Sequence, residues 1–138
     1  EAKPVRFEEG ISLSHGGLAE QVRPGEPFPV TLQWTVDQQP TLGYAVFVHL
    51  VREGGKPWGQ SDGDPVNGLK PFPQFEPGQP VVDCRAVLPA QETPSGSHTV
   101  IVGLYRRDTG QRLRVISGPD AGSDAHSIGQ VEVVPRPG

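Results

Sequence analysis

The nine residues Phe28-Pro29-Val30-Thr31-Leu32-Gln33-Trp34-Thr35-Val36 decide the fold class. Five large apolar side chains, Phe28, Val30, Leu32, Trp34 and Val36, fall on every second position. Side chains alternate across an extended strand, so this spacing puts all five on one face, whereas a helix would scatter them round its circumference. The next run, Tyr44-Ala45-Val46-Phe47-Val48-His49-Leu50-Val51, is apolar at both parities apart from His49. It predicts a central strand covered on both sides.

Outward from these two runs the same period recurs. Val82, Cys84, Ala86 and Leu88 alternate with Asp83, Arg85 and Val87. The first set is expected to face the core, with Cys84 as a small buried hydrophobe. Residues 98–105 carry Val100, Val102 and Leu104 on one face, Ile101 and Tyr105 on the other. Leu113 and Val115 follow the turn Asp108-Thr109-Gly110, and Ile128, Val131 and Val133 form a last strand. At the start, Val5, Phe7, Ile11 and Leu13 share a face if Glu9-Gly10 forms a bulge. Turn signals punctuate the runs at Arg23-Pro24-Gly25-Glu26, Arg52-Glu53-Gly54-Gly55 and Pro77-Gly78. One long irregular stretch remains, 62–79, and no helical spacing lasts longer than a turn. The pattern predicts an all-β chain: a single antiparallel β-sandwich of seven or eight strands, immunoglobulin-like or jelly-roll-like. Its core is expected over roughly 5–134, with 135–138 as linker.

Composition agrees. Glycine supplies 18 residues and proline 16, roughly a quarter of the chain, which excludes a helical bundle. Proline and glycine at this level suit many tight turns. A single cysteine excludes a disulfide scaffold and a multi-cysteine zinc module. The net charge of −4 gives no basic excess for nucleic acid. No apolar run approaches the roughly 18 residues of a membrane span. The chain opens Glu1-Ala2-Lys3 and has no methionine, which suggests a mature exported chain or a domain of a longer protein.

Few residues carry chemistry. Asp108-Thr109-Gly110 spells the aspartic-protease triplet, but Arg106-Arg107 and Arg112 flank it and would favour the ionised carboxylate, so it reads as a hairpin turn. The four histidines, His15, His49, His98 and His126, form no ligand pair by spacing, and His49 and His98 are expected to be hydrogen-bonded at strand positions. No cofactor is expected. Asp62-Gly63-Asp64 resembles a fragment of a calcium loop without its closing glutamate, leaving Asp62 and Asp64 as weak calcium candidates. Arg106, Arg107, Arg112 and Arg114 gather at one hairpin end, either as a phosphate-binding patch or as a solvated turn. Trp58, Phe72 and Phe75 flank or lie in the long loop. They could stack sugar rings while Asp62, Asp64, Asn67 and Gln74 orient hydroxyls, or they could simply pin the loop to the core.

The run from Pro24-Gly25 through Val30-Thr31-Leu32-Gln33-Trp34 and Tyr44-Ala45-Val46-Phe47-Val48-His49-Leu50 carries a further signal. It continues through Gln60-Ser61-Asp62, Asp64-Pro65, Pro77-Gly78 and Val82-Asp83 to Val102-Gly103-Leu104-Tyr105, Thr109-Gly110 and Arg112-Leu113. Together these segments resemble the extracytoplasmic β-sandwich domain of bacterial membrane glycosyltransferases, similar to protein mannosyltransferases, and of related exported proteins. Phe75 stands where that pattern has a tryptophan before its Pro-Gly turn. The resemblance implies a non-catalytic, extracytoplasmic accessory domain, partnered by a glycan or by the membrane part of its parent protein. The alternatives are a carbohydrate-binding module using 58–79 and a structural protein–protein interaction module.

Overall fold

A computed structural model describes residues 4–40, 42–52 and 56–135. The turn residues 53–55 and the end at 136–138 lie outside the described residues. The strands are β1 (Val5–Arg6), β2 (Ile11–His15), β3 (Gln21–Val22), β4 (Phe28–Val36), β5 (Tyr44–Val51), β6 (Gly59–Gly63), β7 (Val81–Val87), β8 (Gly96–Arg106) and β9 (His126–Val133). Two 3₁₀ turns, Glu8–Gly10 and Phe72–Gln74, are the only helical elements among the described residues. The strands form two sheets. One has the order β1-β2-β4-β7 and is antiparallel throughout; the other has the order β3-β9-β8-β5-β6, with β3 parallel to β9. Buried residues of both sheets belong to one hydrophobic cluster.

β4 alternates as its sequence dictates: Phe28, Val30, Leu32, Trp34 and Val36 are all buried. β5 lies between β8 and β6, so it is an inner strand. Its Tyr44, Val46, Val48 and Leu50 join the core cluster. Phe47 is buried too, but on the other face, where the guanidinium of Arg112 lies over its ring at 4.2 Å. This cover explains the two-sided apolar pattern. Gly103, in register with Phe47, makes room for the ring: a Cβ there would stand 2.3 Å from the Phe47 ring.

Other expectations are corrected. The stretch 5–13 is not one bulged strand. Glu9 and Gly10, at φ 70° and 71°, reverse the chain so that Val5 pairs with Leu13. Nine strands are described rather than seven or eight; β1 and β3 have two residues each, too short for an alternation to register. Leu113 and Val115 are buried but belong to no strand; only the isolated bridges Phe7–Val115 and Tyr105–Arg112 form there. In β9 both Ile128 and Val131 are buried although three apart, because a bulge at Val100–Ile101 shifts the register and Gly129 adopts φ 152°.

The largest correction concerns β7. Val82, Cys84 and Ala86, with Leu88 just beyond, are exposed, while Asp83, Arg85 and Val87 face inward. Cys84 is therefore not a buried hydrophobe. The register with β4 fixes this parity: Phe28, Val30 and Leu32 stand opposite Val87, Arg85 and Asp83. Two buried charges persist only when paired and fully hydrogen-bonded, and these are. Asp83 accepts from Trp34 Nε1 (3.1 Å), Val66 N (2.9 Å) and Arg85 Nε (2.9 Å). Arg85 also donates to the carbonyls of Ser61 (3.1 Å), Gly63 (2.9 Å) and Asp64 (3.3 Å).

Candidate functional site

The outer face of the five-stranded sheet carries a shallow cleft of about 260 Å³, lined by Phe47, His49, Asp62, Tyr105, Gly110 and Arg112. Alternation along β5 puts Phe47 and His49 on this face, and pairing brings Asp62 of β6 opposite Phe47 and Tyr105 of β8 opposite Ala45. The turn at 108–110 then returns Arg112 beside Tyr105, fixed by Arg106 N–H to Gln111 O (2.8 Å) and Gly110 N–H to Arg106 O (2.7 Å). Tyr105 is partly exposed, with its ring centre 6.4 Å from that of Phe47. Arg112 reaches Asp124 at 3.5 Å, and 40% of its side chain remains exposed.

His49 lies 3.4 Å from Asp62 through Nε2, yet that nitrogen is buried and lacks a hydrogen-bond partner. Burial pushes the His49 pKa below its ordinary value; Asp62 opposes the shift and Arg112 adds to it. Burial wins, so the imidazole is neutral at pH 7. The pair is a histidine beside a carboxylate, but the cleft holds no serine, threonine or cysteine to serve as its nucleophile. It presents one aromatic ring, a carboxylate and a guanidinium side by side. Such a set can stack on a ring and hydrogen-bond to hydroxyls or an anion.

The residues singled out in the sequence are dispersed. Phe72 and Phe75 are completely buried; Phe72 meets Trp34 edge-on at 5.5 Å and Phe75 at 4.9 Å. Neither ring has a face for a sugar, and each contributes roughly 1.5–3 kcal/mol by burial instead. Trp58 is partly buried against the core, with the Lys56 ammonium 4.7 Å above its ring. Asn67 is an exposed turn residue at φ 52°, and Gln74 is an exposed residue of the second 3₁₀ turn. Asp64 is paired with Arg107 at 2.9 Å. No group of three or more metal-ligating side chains occurs among the described residues. Asp62 faces His49 and Asp64 faces Arg107, so the two carboxylates are not pooled for calcium. Only Asp62 of the expected set enters the cleft.

Each of the four arginines has a partner of its own: Arg106 pairs with Asp108 (2.8 Å), Arg107 with Asp64, Arg112 with Asp124, and Arg114 donates to Gly122 O (3.0 Å). The hydrogen bond from Arg106 holds the Asp108 carboxyl below the usual range, the reverse of a protease dyad that shares a proton. Sequence reading missed Tyr105, Arg112 and His49 as a group because they lie on three separate segments. The one available signal was the lone histidine in an otherwise apolar strand.

No family model matches the chain, and no curated protein matches it. Solved structures do. The chain is similar to the β-glucosidase from Listeria innocua in complex with gluconolactone, at 14% identity and a TM-score of 0.52, over 94% of this chain and 16% of that one. The same enzyme in complex with glucose gives the same figures. AvmM, which catalyses macrocyclization in alchivemycin A biosynthesis, is similar at 9% identity and a TM-score of 0.50, over 95% of this chain and 92% of that one. These are likenesses of fold. The chain spans only 16% of the length of the β-glucosidase.

Proposed function

We propose that the chain is an immunoglobulin-like β-sandwich serving as a non-catalytic interaction module of a larger extracytoplasmic protein. The observation that carries the non-catalytic reading is the cleft itself: a His49–Asp62 pair with no nucleophile in reach, on an open sheet face. The strand orders β2-β4-β7 and β9-β8-β5 support the immunoglobulin-like arrangement, since they follow the A-B-E and G-F-C orders of such domains. The accessory role draws support from a fold that also occurs as a small part of a long enzyme chain. The extracytoplasmic placement rests on the resemblance of the 24–113 pattern to domains of membrane glycosyltransferases. Removing residues 5–134 from the full-length protein should leave turnover of a small soluble substrate intact and impair use of the extended natural one. Unchanged use of both would sink the accessory role.

A second reading is favoured by the pairing of Tyr105 with Asp62 and Arg112: the module binds carbohydrate, through this sheet face rather than the 58–79 loop. A partly exposed ring offers stacking, and the two charged groups suit vicinal hydroxyls. Glycan-array binding by the 138-residue chain should be lost in Tyr105→Ala and kept in Trp58→Ala. The opposite pattern would return the site to the loop.

A further inference from the structure

A cavity of about 470 Å³ opens between the two sheets where β2 faces β9. Its walls are mostly apolar, with Val5 and Leu13 among them, but two histidines line it. His15 continues the inward parity of Ile11 and Leu13 on β2. His126 opens β9 opposite the core residue Val102 and is 5% exposed. The two rings come from different sheets and their centres are 6.3 Å apart.

Their hydrogen bonds fix the tautomers. His15 Nδ1 lies 2.9 Å from the carbonyl of Gly16. A carbonyl only accepts, so Nδ1 carries the hydrogen. His126 Nδ1 lies 2.9 Å from Asp120 Oδ2, an oxygen that also accepts the backbone N–H of Ser127 at 2.9 Å. The carboxylate accepts as well, so Nδ1 again carries the hydrogen. In the neutral form each imidazole therefore keeps its lone pair on Nε2. Neither Nε2 is among the sealed, partnerless nitrogens, which are those of His49 and His98.

A neutral imidazole whose Nδ1–H is held by a carbonyl or carboxylate is the usual form of a metal ligand, and the outer partner orients the ring and raises its basicity. We infer that His15 and His126 together bind one divalent transition-metal ion of the zinc, copper or nickel type through their Nε2 atoms. The ion bridges the two sheets, with its remaining positions open to water. Metal–nitrogen bonds of ~2.1 Å at a tetrahedral angle put the two ring centres roughly 5.3 Å apart. The observed separation is 6.3 Å, so binding draws the rings together by about 1 Å through rotation of the partly exposed His15 side chain. Imidazole ligands select these borderline ions over magnesium or calcium, which prefer oxygen.

The test titrates the 138-residue chain with Zn²⁺, Cu²⁺ or Mg²⁺ alone, against a chromophoric indicator and by thermal melting. One equivalent of Zn²⁺ and of Cu²⁺ should bind and raise Tm, while Mg²⁺ does neither. His15→Gln, a substitution at a partly exposed strand end, should weaken Zn²⁺ binding by more than tenfold. Asp120→Asn leaves both ligands in place and should still weaken it by about tenfold, since outer-partner substitutions cost 10–100-fold. Absence of binding to the parent chain overturns the inference. So does Zn²⁺ affinity unchanged in His15→Gln, which would place the ion on other groups.

Discussion

At the scale of single residues, His49 shows how burial overrides a nearby charge. Asp62 would favour the imidazolium, but removal from water and the Arg112 guanidinium disfavour it, and the folded-state pKa falls below the ordinary value. The sign follows from linkage. A histidine with a depressed folded pKa binds its proton more readily in the unfolded chain, so protonation favours unfolding. Its contribution is complete above the unfolded-state pKa of about 6.5 and is lost as pH falls below it. Urea midpoints measured from pH 7.5 down to 5 should therefore fall, and His49→Gln should flatten part of that fall. A parallel fall in the variant would show that His49 does not carry it. The sequence disclosed His49 only as a polar interruption in an apolar strand. Its surroundings come from Arg112, 63 positions later in the chain, and no local pattern predicts that meeting.

At the scale of elements, legibility depended on whether one parity was unambiguous. β4 offered five large apolar residues against proline, threonine and glutamine, and its face was readable at once. β7 offered two plausible faces, and hydrophobicity favoured the wrong one. Val82, Cys84 and Ala86 looked inward-facing until the register with β4, strand β6 and the loop after it supplied partners for Asp83 and Arg85. The long loop was illegible for a related reason: Phe72 and Phe75 close the core over Trp34 from outside the strands. Val66 there adopts φ 58°, uncommon for a β-branched residue, with its N–H held by Asp83. The orientation of β7 has a direct chemical test. Cys84 is the chain's one cysteine and is exposed, so a thiol reagent should label one equivalent in native buffer at a rate close to that in denaturant. Protection until unfolding would mean that β7 faces the other way.

At the scale of the whole molecule, β6 and β7 are edge strands of different sheets, and Arg85 joins them. It stands on β7 and donates to the carbonyls of Ser61 and Gly63 on β6, while Asp83 beside it takes the indole N–H of Trp34 from β4. The ion pair thus clasps the two sheets along one side of a shared core. A buried pair of this kind adds little stability relative to well-packed apolar residues, but leaving one member alone costs about 3–5 kcal/mol. Arg85→Met should accordingly lower the unfolding free energy by about 3–5 kcal/mol, because Asp83 stays buried without its counter-ion. Asp83→Leu combined with Arg85→Met should be less destabilised than the single variant, since no orphan charge remains, although Trp34 Nε1 and Val66 N lose their acceptor. Chemical denaturation followed by Trp34 fluorescence in a Trp58→Phe background, alongside far-UV circular dichroism, measures both. The two signals should share one midpoint in the parent chain because residues of both sheets belong to one cluster. A loss below about 1 kcal/mol in Arg85→Met, in the range of an exposed pair, would mean that the clasp does not hold the sheets together.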